Sequence, residues 1–266
     1  MQKLILVKLG GSVITKKDKP FTARPKTILR LAKEIKSASK YFDGKILIGH
    51  GGGSFPHVPA AKYKTHLGLI NKKSVWGFAQ TSKAAVDINR IVLKEFLKAG
   101  LPAVSFSPMS FIFALQGRPK KILTEPIDKA LKLGLFPIVF GDVILDEGNK
   151  GFSIYSGEKI LDCLAQKFSK SYKITKVIMV GDTDGIYDNK GKTFRKITHN
   201  NLGKLKEFLG DPKGVDVTGG MLHKIEEMFK ISRKIGIKTQ IINGNKVGEL
   251  KKSILGQKTS GTFIYW

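Results

Sequence analysis

Apolar residues follow two different periods along this chain, and the two periods alternate. Continuous apolar runs predict strands at 3–9, 45–49, 102–106, 136–141, 176–181, 238–242 and 261–265. Between several of these runs, apolar residues recur every three or four positions and predict helices at about 25–39, 75–99, 125–133, 157–169 and 219–235. Apolar strands that alternate with helices are typical of a parallel sheet covered on both faces. The pattern therefore predicts an α/β fold, a three-layer αβα sandwich with a mainly parallel central sheet.

Two shorter segments predict local hairpins. In 143–155 and 185–197, turn residues separate runs that are rich in β-forming residues. The chain has no low-complexity linker and no internal repeat, so residues 1–266 are expected to form a single domain. Within it we expect an N-terminal lobe of about 1–171 and a C-terminal lobe of about 172–266.

Composition indicates a globular protein of the cytoplasm. Hydrophobic residues make up 41% of the chain, and no apolar run approaches the roughly 20 residues of a membrane span. The N-terminal sequence MQKLILVKLGG lacks the features of a signal peptide and is typical of a first strand. The single cysteine, Cys163, rules out an internal disulfide, and its place in an apolar helical stripe predicts a packed thiol.

The charge balance is strongly basic, with 47 Lys and Arg against 21 Asp and Glu, a net charge of +26. Such a charge is compatible with nucleic-acid binding, with lysines spread over solvated faces, or with a basic cleft for a small anionic substrate. The lysines are scattered at helical intervals, without an arginine-rich block or a recognition motif. We therefore expect a small anionic substrate, and neither a nucleic acid nor a membrane as partner.

Glycine-rich loops follow several of the predicted strands, at 8–12, 51–53, 141–142, 181–185 and 218–221. The carboxyl ends of parallel strands meet at one edge of a sheet, which is where ligands bind in such folds. Exposed backbone N–H groups at these loops would suit a phosphate. For the triple glycine at 51–53 alone, a special turn and a ligand pressed against the backbone are equally good explanations.

Other chemistries lack their motifs. The chain has no G-x-x-x-x-G-K-[ST], no complete G-x-G-x-x-G and no G-x-S-x-G. It also has no H-E-x-x-H, and its five histidines show no zinc-ligand spacing. Glycine-rich backbone, lysines and a few aspartates are what phosphoryl transfer needs.

Four ordered motifs resemble the amino acid kinase superfamily over essentially the whole chain: KLGGS at 8–12, GHGGGSF at 49–55, GDTDGIYD at 181–188 and DVTGGMLHK at 216–224. Within it, HGGGSFPH at 50–57 resembles the isopentenyl phosphate kinases, mainly through His57. The resemblance implies ATP-dependent phosphorylation of isopentenyl phosphate to isopentenyl diphosphate, with Mg²⁺ bound through the nucleotide. It also implies a homodimer, an acceptor-binding N-terminal lobe and a nucleotide-binding C-terminal lobe.

The resemblance also assigns roles to residues, and it includes no metal held by the protein itself. The expected catalytic residues are Lys8, His57, Asp142 and Lys224, with Asp142 holding the lysines in place. The expected nucleotide contacts are Lys8, Gly10, Gly11, Lys17, Gly53, Asp182, Asp184, Tyr187, Lys192, Gly220 and Lys224. The expected acceptor contacts are Gly52, Gly53, His57 and Gly157. For the lid lysine, the sequence does not distinguish Lys17 from Lys16.

Two positions depart from the family pattern, and His50 has no assigned contact. Glu158 and Lys159 follow Ser156-Gly157 where many relatives have two aspartates, and Pro56 precedes His57 where glycine is usual. His50 is interpreted as structural. In the helix predicted at 75–99, Ala79, Val86 and Ile88 are candidates for an apolar acceptor pocket, although packing on the sheet explains most of them equally well.

Three alternatives to this function stay open. A kinase of the same fold could act on a phosphonate such as fosfomycin, on an amino acid or on a nucleotide. Alternatively, the protein could bind a nucleotide for regulation without catalysing a reaction. In the third alternative, it is a basic protein that binds nucleic acid. Retention of Lys8, His57, Asp142 and Lys224 together argues against loss of catalysis.

Overall fold

An eight-stranded sheet forms the centre of the molecule. The structure is a computed structural model that describes residues 1–188, 190–198, 200 and 220–266. Its strands are β1 (Lys3–Leu9), β2 (Lys45–His50), β3 (Ala103–Ser105), β4 (Ile112–Leu115), β5 (Arg118–Ile122), β6 (Phe136–Phe140), β7 (Asp142–Leu145), β8 (Phe152–Tyr155), β9 (Lys173–Gly181), β10 (Lys196–Ile197), β11 (Thr239–Asn243) and β12 (Thr262–Ile264). The sheet order is β10-β12-β11-β9-β1-β2-β6-β3. Within it β11 and β12 are antiparallel, and the other neighbouring strands are parallel.

Helices cover both faces of this sheet. They are α1 (Gly11–Ile14), α2 (Pro25–Ser39), α3 (His57–Lys62), α4 (Lys72–Lys98), α5 (Glu125–Lys132), α6 (Gly157–Phe168), α7 (Gly220–Ile235) and α8 (Glu249–Ile254). Buried side chains of α5, α6 and α7 form one hydrophobic cluster with the sheet, and those of α1, α2, α4 and α8 form a second. The structure confirms the predicted three-layer αβα sandwich.

The side chains of β1 show how the sequence builds these layers. Leu4 and Leu6 pack into the cluster of α5, α6 and α7, whereas Ile5 and Val7 pack into the cluster on the opposite face. Because successive side chains of a strand point to opposite faces, a strand apolar throughout needs cover on both sides. Lys8 follows the same alternation, so its side chain lies on the face of α6.

Most predicted elements are present, with one correction and several omissions. The hairpin predicted at 143–155 is the β7–β8 pair. The one predicted at 185–197 is shorter than expected: Tyr187 and Thr193 form a single antiparallel bridge, while β10 pairs with β12 in the main sheet. The prediction missed α1, α3, α8 and the β4–β5 hairpin. Helices of four to six residues are too short to show a period, and β5 is mostly polar and exposed.

The helices and the single cysteine can be compared with the composition of the chain. None of the helices in the described part of the chain is long and apolar enough to cross a bilayer. Cys163 is a free, buried thiol on α6, as its apolar surroundings predicted, and burial raises the pKa of this thiol to about 11.

Candidate active site

Two glycine-rich loops touch each other at the carboxyl edge of the sheet. β1 and β2 are parallel neighbours, so the loop after β1, residues 10–12, which enters α1 at Gly11, and the loop after β2, residues 51–53, leave the sheet side by side. A Cβ on Gly11 would lie 2.6 Å from both the Cα and the nitrogen of Gly53. No side chain fits at that distance, so the backbones can approach only because these positions are glycine.

Thr15 ties the two loops together. Its hydroxyl donates to the carbonyl of Gly11 at 2.8 Å and accepts the N–H of Ser54 at 3.0 Å. Gly53 lies beside it with φ +55°, and a Cβ there would be 2.1 Å from the Thr15 oxygen. The triple glycine is therefore required by the turn and by the contact between loops. Sequence reasoning missed Thr15, which no motif marks.

The same contact leaves backbone amides available. Within the described residues, the N–H groups of Gly11, Ser12, Gly52 and Gly53 donate to no acceptor. Unpaired amides at glycine-rich loops are the donors that bind phosphate. Of the two explanations for the triple glycine, the structure shows the special turn. The unpaired amides would also suit an anion held against the backbone, which is the second explanation.

His50, at the end of β2, orients one of these amides. Its Nδ1 donates to the Gly51 carbonyl at 3.0 Å, and its Nε2 accepts from the side-chain amide of Asn89 at 3.1 Å. Burial lowers the pKa of this imidazole to about 4, so the ring is neutral at pH 7. In a trans peptide the C=O and N–H point in opposite directions, so the N–H of Gly52 points away from the ring. The interpretation of His50 as structural agrees with this geometry.

A cavity of about 550 Å³ lies against these loops. The predicted site residues that line it are Lys8, Gly10, Gly11, Lys17, Gly52, Gly53, His57, Asp142, Gly157 and Asp182. Residues far apart in the sequence thus share one cavity, as expected for loops at the carboxyl ends of parallel strands.

Lys8 is a buried cation whose partner comes from α6. Its amine donates to the Glu158 carboxylate, and both side chains are largely buried. Glu158 lies in the first turn of α6, behind the N-cap residue Ser156. Lys159 instead turns away, donating to the Gly117 carbonyl at 2.5 Å and lying over the Tyr155 ring. Of the pair that departs from the family pattern, Glu158 therefore belongs to the site.

Asp142 is a buried carboxylate that is held by two hydrogen bonds. It accepts hydrogen bonds from the Val143 N–H at 2.8 Å and the Ser82 hydroxyl at 3.1 Å, and within the described residues no lysine pairs with it. Lys8 points to the α6 face and meets Glu158 there, so the expected role of Asp142 in holding the lysines stays a prediction. Burial raises the pKa of the Asp142 carboxyl to about 7, against the opposing effect of the two hydrogen bonds.

Lys17, the predicted lid lysine, reaches the loop after β9. Its amine lies 3.0 Å from the carboxylate of Asp182, and both residues line the cavity. This ion pair lowers the pKa of Asp182 against the effect of burial. Lys16, the alternative that the sequence left open, is exposed and does not line the cavity.

Three other predicted nucleotide contacts lie outside this cavity. Asp184 pairs with Lys246 at 2.7 Å, and its N–H donates to the Tyr187 hydroxyl at 3.0 Å. Lys192 belongs to the turn that follows, where its N–H donates to Asp188 at 2.8 Å. Asp184, Tyr187 and Lys192 thus contact protein residues at the same edge of the sheet. That they also contact a nucleotide stays a prediction.

The structure places two further predicted residues only by their backbone. Gly220 begins α7, and Lys224 lies in its second turn. The side chain of Lys224 falls outside the part of the chain that the structure describes, as does Thr218, which precedes α7 in the motif. The role expected of Lys224 stays a prediction.

The acceptor side of the cavity begins at α3. His57 is the first residue of α3 and exposed, and Pro56 precedes it at the N-cap with φ −72°. A Cβ on Gly52 would lie 2.0 Å from the Pro56 ring, so this proline packs directly on the glycine loop. It therefore fixes the direction in which α3, and with it His57, leaves the loop.

Apolar side chains complete the cavity wall, but they are not the ones proposed from the sequence. Ala60 and Ile154 line the same cavity as His57. Ala79 is exposed, Ile88 is in the core, and Val86 lines a different cavity. The periodicity of α4 could not distinguish these environments, because a helix that packs on a sheet shows the same stripe.

Comparison with known proteins finds relatives over the full length of the chain. The amino acid kinase family profile matches residues 3–243. The chain is 33% identical to an isopentenyl phosphate kinase of Methanocaldococcus jannaschii and 35% identical to one of Methanothermobacter thermautotrophicus, in each case over 98% of both chains. A solved isopentenyl phosphate kinase structure superposes with a TM-score of 0.82 at 30% identity, covering 98% of this chain and 99% of the other.

The chain therefore belongs to the amino acid kinase family. Within that family, its similarity over the full length is to isopentenyl phosphate kinases. The resemblance indicated by the motifs is confirmed.

Replacing Gly53 tests the loop contact. Gly53→Ala should lower the free energy of unfolding clearly more than Gly256→Ala, which serves as the matched control. Gly256 has φ +74°, and no atom of the described residues lies within 4 Å of the position that an alanine methyl group would occupy there. Its alanine variant therefore carries only the backbone cost of about 1–2 kcal/mol. Urea unfolding of both variants measures the difference, and equal losses would contradict the contact.

The raised pKa of Asp142 gives a pH-dependent prediction. The folded protein holds this proton up to about pH 7, whereas the unfolded chain releases it near 4, so raising the pH through this window destabilises the fold. In Asp142→Asn this contribution is absent. The free energy of unfolding of the wild type should therefore fall relative to that of the variant between about pH 4 and 7. Urea titrations across this range measure it, and a constant difference would contradict the raised pKa.

Proposed function

We propose that this protein is an isopentenyl phosphate kinase, which transfers the γ-phosphoryl group of ATP to isopentenyl phosphate and releases isopentenyl diphosphate and ADP. One observation carries the proposal: the cavity brings the unpaired amides of Gly52 and Gly53 together with the exposed His57 and an apolar wall. An acceptor with a phosphate head and a short hydrocarbon tail needs these features. The full-length similarity to isopentenyl phosphate kinases supports the same substrate.

The chemistry requires positioning more than proton transfer. A phosphomonoester has a second pKa of about 6 and is mostly dianionic at neutral pH, so its oxygen attacks without a general base. That oxygen forms a bond to the γ-phosphorus, and the bond from phosphorus to the bridging oxygen breaks as ADP leaves with the electron pair. Because both reactants are anions, catalysis consists of holding them in line and stabilising the charge.

The residues of the cavity divide this work between them. His57 would donate to the phosphate already on the acceptor, and the amides of Gly52 and Gly53 would bind that phosphate and the transferring group. Lys8, held by Glu158, would place a positive charge beside the transferring phosphoryl group, and Lys224 would add a second from α7. Lys17 would close over the nucleotide from the opposite side, where it now pairs with Asp182.

The two lobes would then have separate substrates. The N-terminal lobe of about 1–171 contributes His57, Gly52 and the apolar wall, and we assign it the acceptor. The C-terminal lobe of about 172–266 contributes the loop after β9 and α7, and we assign it ATP, including Asp184, Tyr187 and Lys192 at the adenosine end. The two sides share β1 and β9, which pair along their length at the sheet centre.

Mg²⁺ would reach this site with the nucleotide. Among the described residues, no three His, Cys, Asp or Glu side chains cluster so as to hold a metal ion. Mg²⁺ commonly takes most of its ligands from phosphate oxygens and water, so it needs no such cluster of protein ligands here. Its chemistry when bound is to neutralise charge on the phosphates.

The proposal extends to the setting of the enzyme. Both proposed substrates, ATP and isopentenyl phosphate, are anions and so suit a strongly basic protein. We therefore expect no nucleic-acid partner. We further propose a homodimer in the cytoplasm, on the basis of the family resemblance and the single buried thiol.

A panel of acceptors tests the proposed reaction. ADP release is measured with Mg-ATP and isopentenyl phosphate, dimethylallyl phosphate, fosfomycin, UMP or acetylglutamate. The proposal expects preferential turnover of isopentenyl phosphate, because its phosphate head and apolar tail match the amides and the apolar wall of the cavity. Turnover of another acceptor without isopentenyl phosphate would keep the fold and overturn the function.

His57 can be separated from the other histidines by substitution. His57→Ala should lower kcat with isopentenyl phosphate by roughly 10²–10³-fold, the usual effect of losing one donor to a reacting oxyanion. ATP binding, measured by calorimetry, should be nearly unchanged. His66→Ala is the control, because His66 is also exposed but lies outside the cavity. Wild-type turnover in His57→Ala would remove His57 from the site.

A further inference from the structure

A second cavity, of about 380 Å³, lies between α4, the strand β3 and α5. Among the described residues, none lines both this cavity and the candidate active site. Its volume is within the range of roughly 300–1,000 Å³ that small-molecule sites occupy. Neither the phosphoryl transfer proposed above nor the family motifs give this cavity a role.

The wall of the second cavity is amphipathic. Phe106, Phe111, Leu123 and Ile127 supply a largely apolar surface. At its edge lies Arg90, an exposed residue of α4 whose guanidinium forms no ion pair or hydrogen bond within the described residues. In the part of the chain that the structure describes, no carboxylate lines the cavity.

Two hydroxyl groups add donors beside this cation. The side chains of Ser107 and Ser110 line the cavity and have no hydrogen-bond partner among the residues described. A guanidinium together with free hydroxyls matches the oxygens of a carboxylate or a phosphate. The apolar wall matches a hydrocarbon chain.

We propose that this cavity is a binding site for a small amphiphile, a molecule with one anionic head and an apolar body. Arg90 and the two serine hydroxyls bind the head, and the aromatic and aliphatic wall buries the chain. A prenyl diphosphate and a medium-chain fatty acid share this chemistry. If a prenyl diphosphate binds, the site takes longer molecules that are made from the isoprenoid diphosphate. If a fatty acid binds, the site takes a lipid.

A chain of hydrogen bonds connects the wall of this cavity to the glycine loop. Asn89 lines the cavity, and its carbonyl oxygen accepts the Ser105 hydroxyl at 2.6 Å. Its amide donates to His50, which in turn holds the Gly51 carbonyl and so orients the N–H of Gly52. Because Asn89 is 1% exposed and bonded on both sides, a ligand that moves it must move the His50 ring.

Methyl and amide NMR of the full chain tests the site without any turnover, so its result is independent of the acceptor assignment. Decanoate and geranyl diphosphate are the probes. We expect at least one of them to shift the methyl signals of Val86, Leu123 and Ile127 saturably, and to shift the side-chain amide of Asn89 and the backbone amide of Gly52. Whichever probe binds identifies the source of the head group.

Two matched variants separate the site from non-specific binding. Arg90→Gln should lower the affinity for the probe roughly tenfold, the loss expected for one charge-assisted hydrogen bond. Lys94→Gln, which removes an exposed cation of the same helix outside the cavity, should leave the affinity unchanged. Absence of a saturable methyl shift with both probes, or equal affinity in Arg90→Gln and the wild type, overturns the site. Saturation without any change at Asn89 and Gly52 overturns the connection to the glycine loop.

Discussion

The contact of backbone with backbone between loops 10–12 and 51–53 is the constraint on which the site depends. It exists because β1 and β2 are parallel neighbours and because neither Gly11 nor Gly53 has a side chain. Two consequences follow from one contact. The loops are held rigidly by Thr15, and their amides face a common cavity instead of pairing with each other. An anion site built from main-chain groups in this way is already in position before its ligand arrives.

The energetic cost of burying the polar groups around this cavity is offset differently for each group. Lys8 interrupts an apolar strand and has a carboxylate partner in Glu158, because an unpaired buried charge would be costly. His50 avoids that cost by being neutral, with both ring nitrogens hydrogen-bonded. Asp142 avoids it by a raised pKa. Among the described residues, the cavity therefore carries little uncompensated charge, and a triphosphate would meet the unpaired amides and the lysine paired with Glu158.

The sequence predicted the layered fold, because continuous apolar strands and helical stripes report burial directly. It also placed Lys8, His57 and the glycine loops in one site, because loops at the carboxyl ends of parallel strands converge. It could not predict the partner of Lys8: Glu158 stands 150 positions away, and only the register of β1 directs the lysine to α6. The apolar wall was equally hidden: the candidates came from the α4 stripe, which is the same for packing and for pocket lining, whereas Ala60 and Ile154 belong to α3 and β8.

The most direct test of the account is to observe the loop amides as a phosphorylated acceptor binds. Isopentenyl phosphate is titrated into uniformly ¹⁵N-labelled protein, and the backbone signals of Gly52 and Gly53 are followed beside that of Gly256, which does not line the cavity. We predict saturable shifts of the two loop amides and none at Gly256. Saturable binding that leaves both loop amides unchanged would contradict the claim that the two glycine loops in contact hold the phosphate.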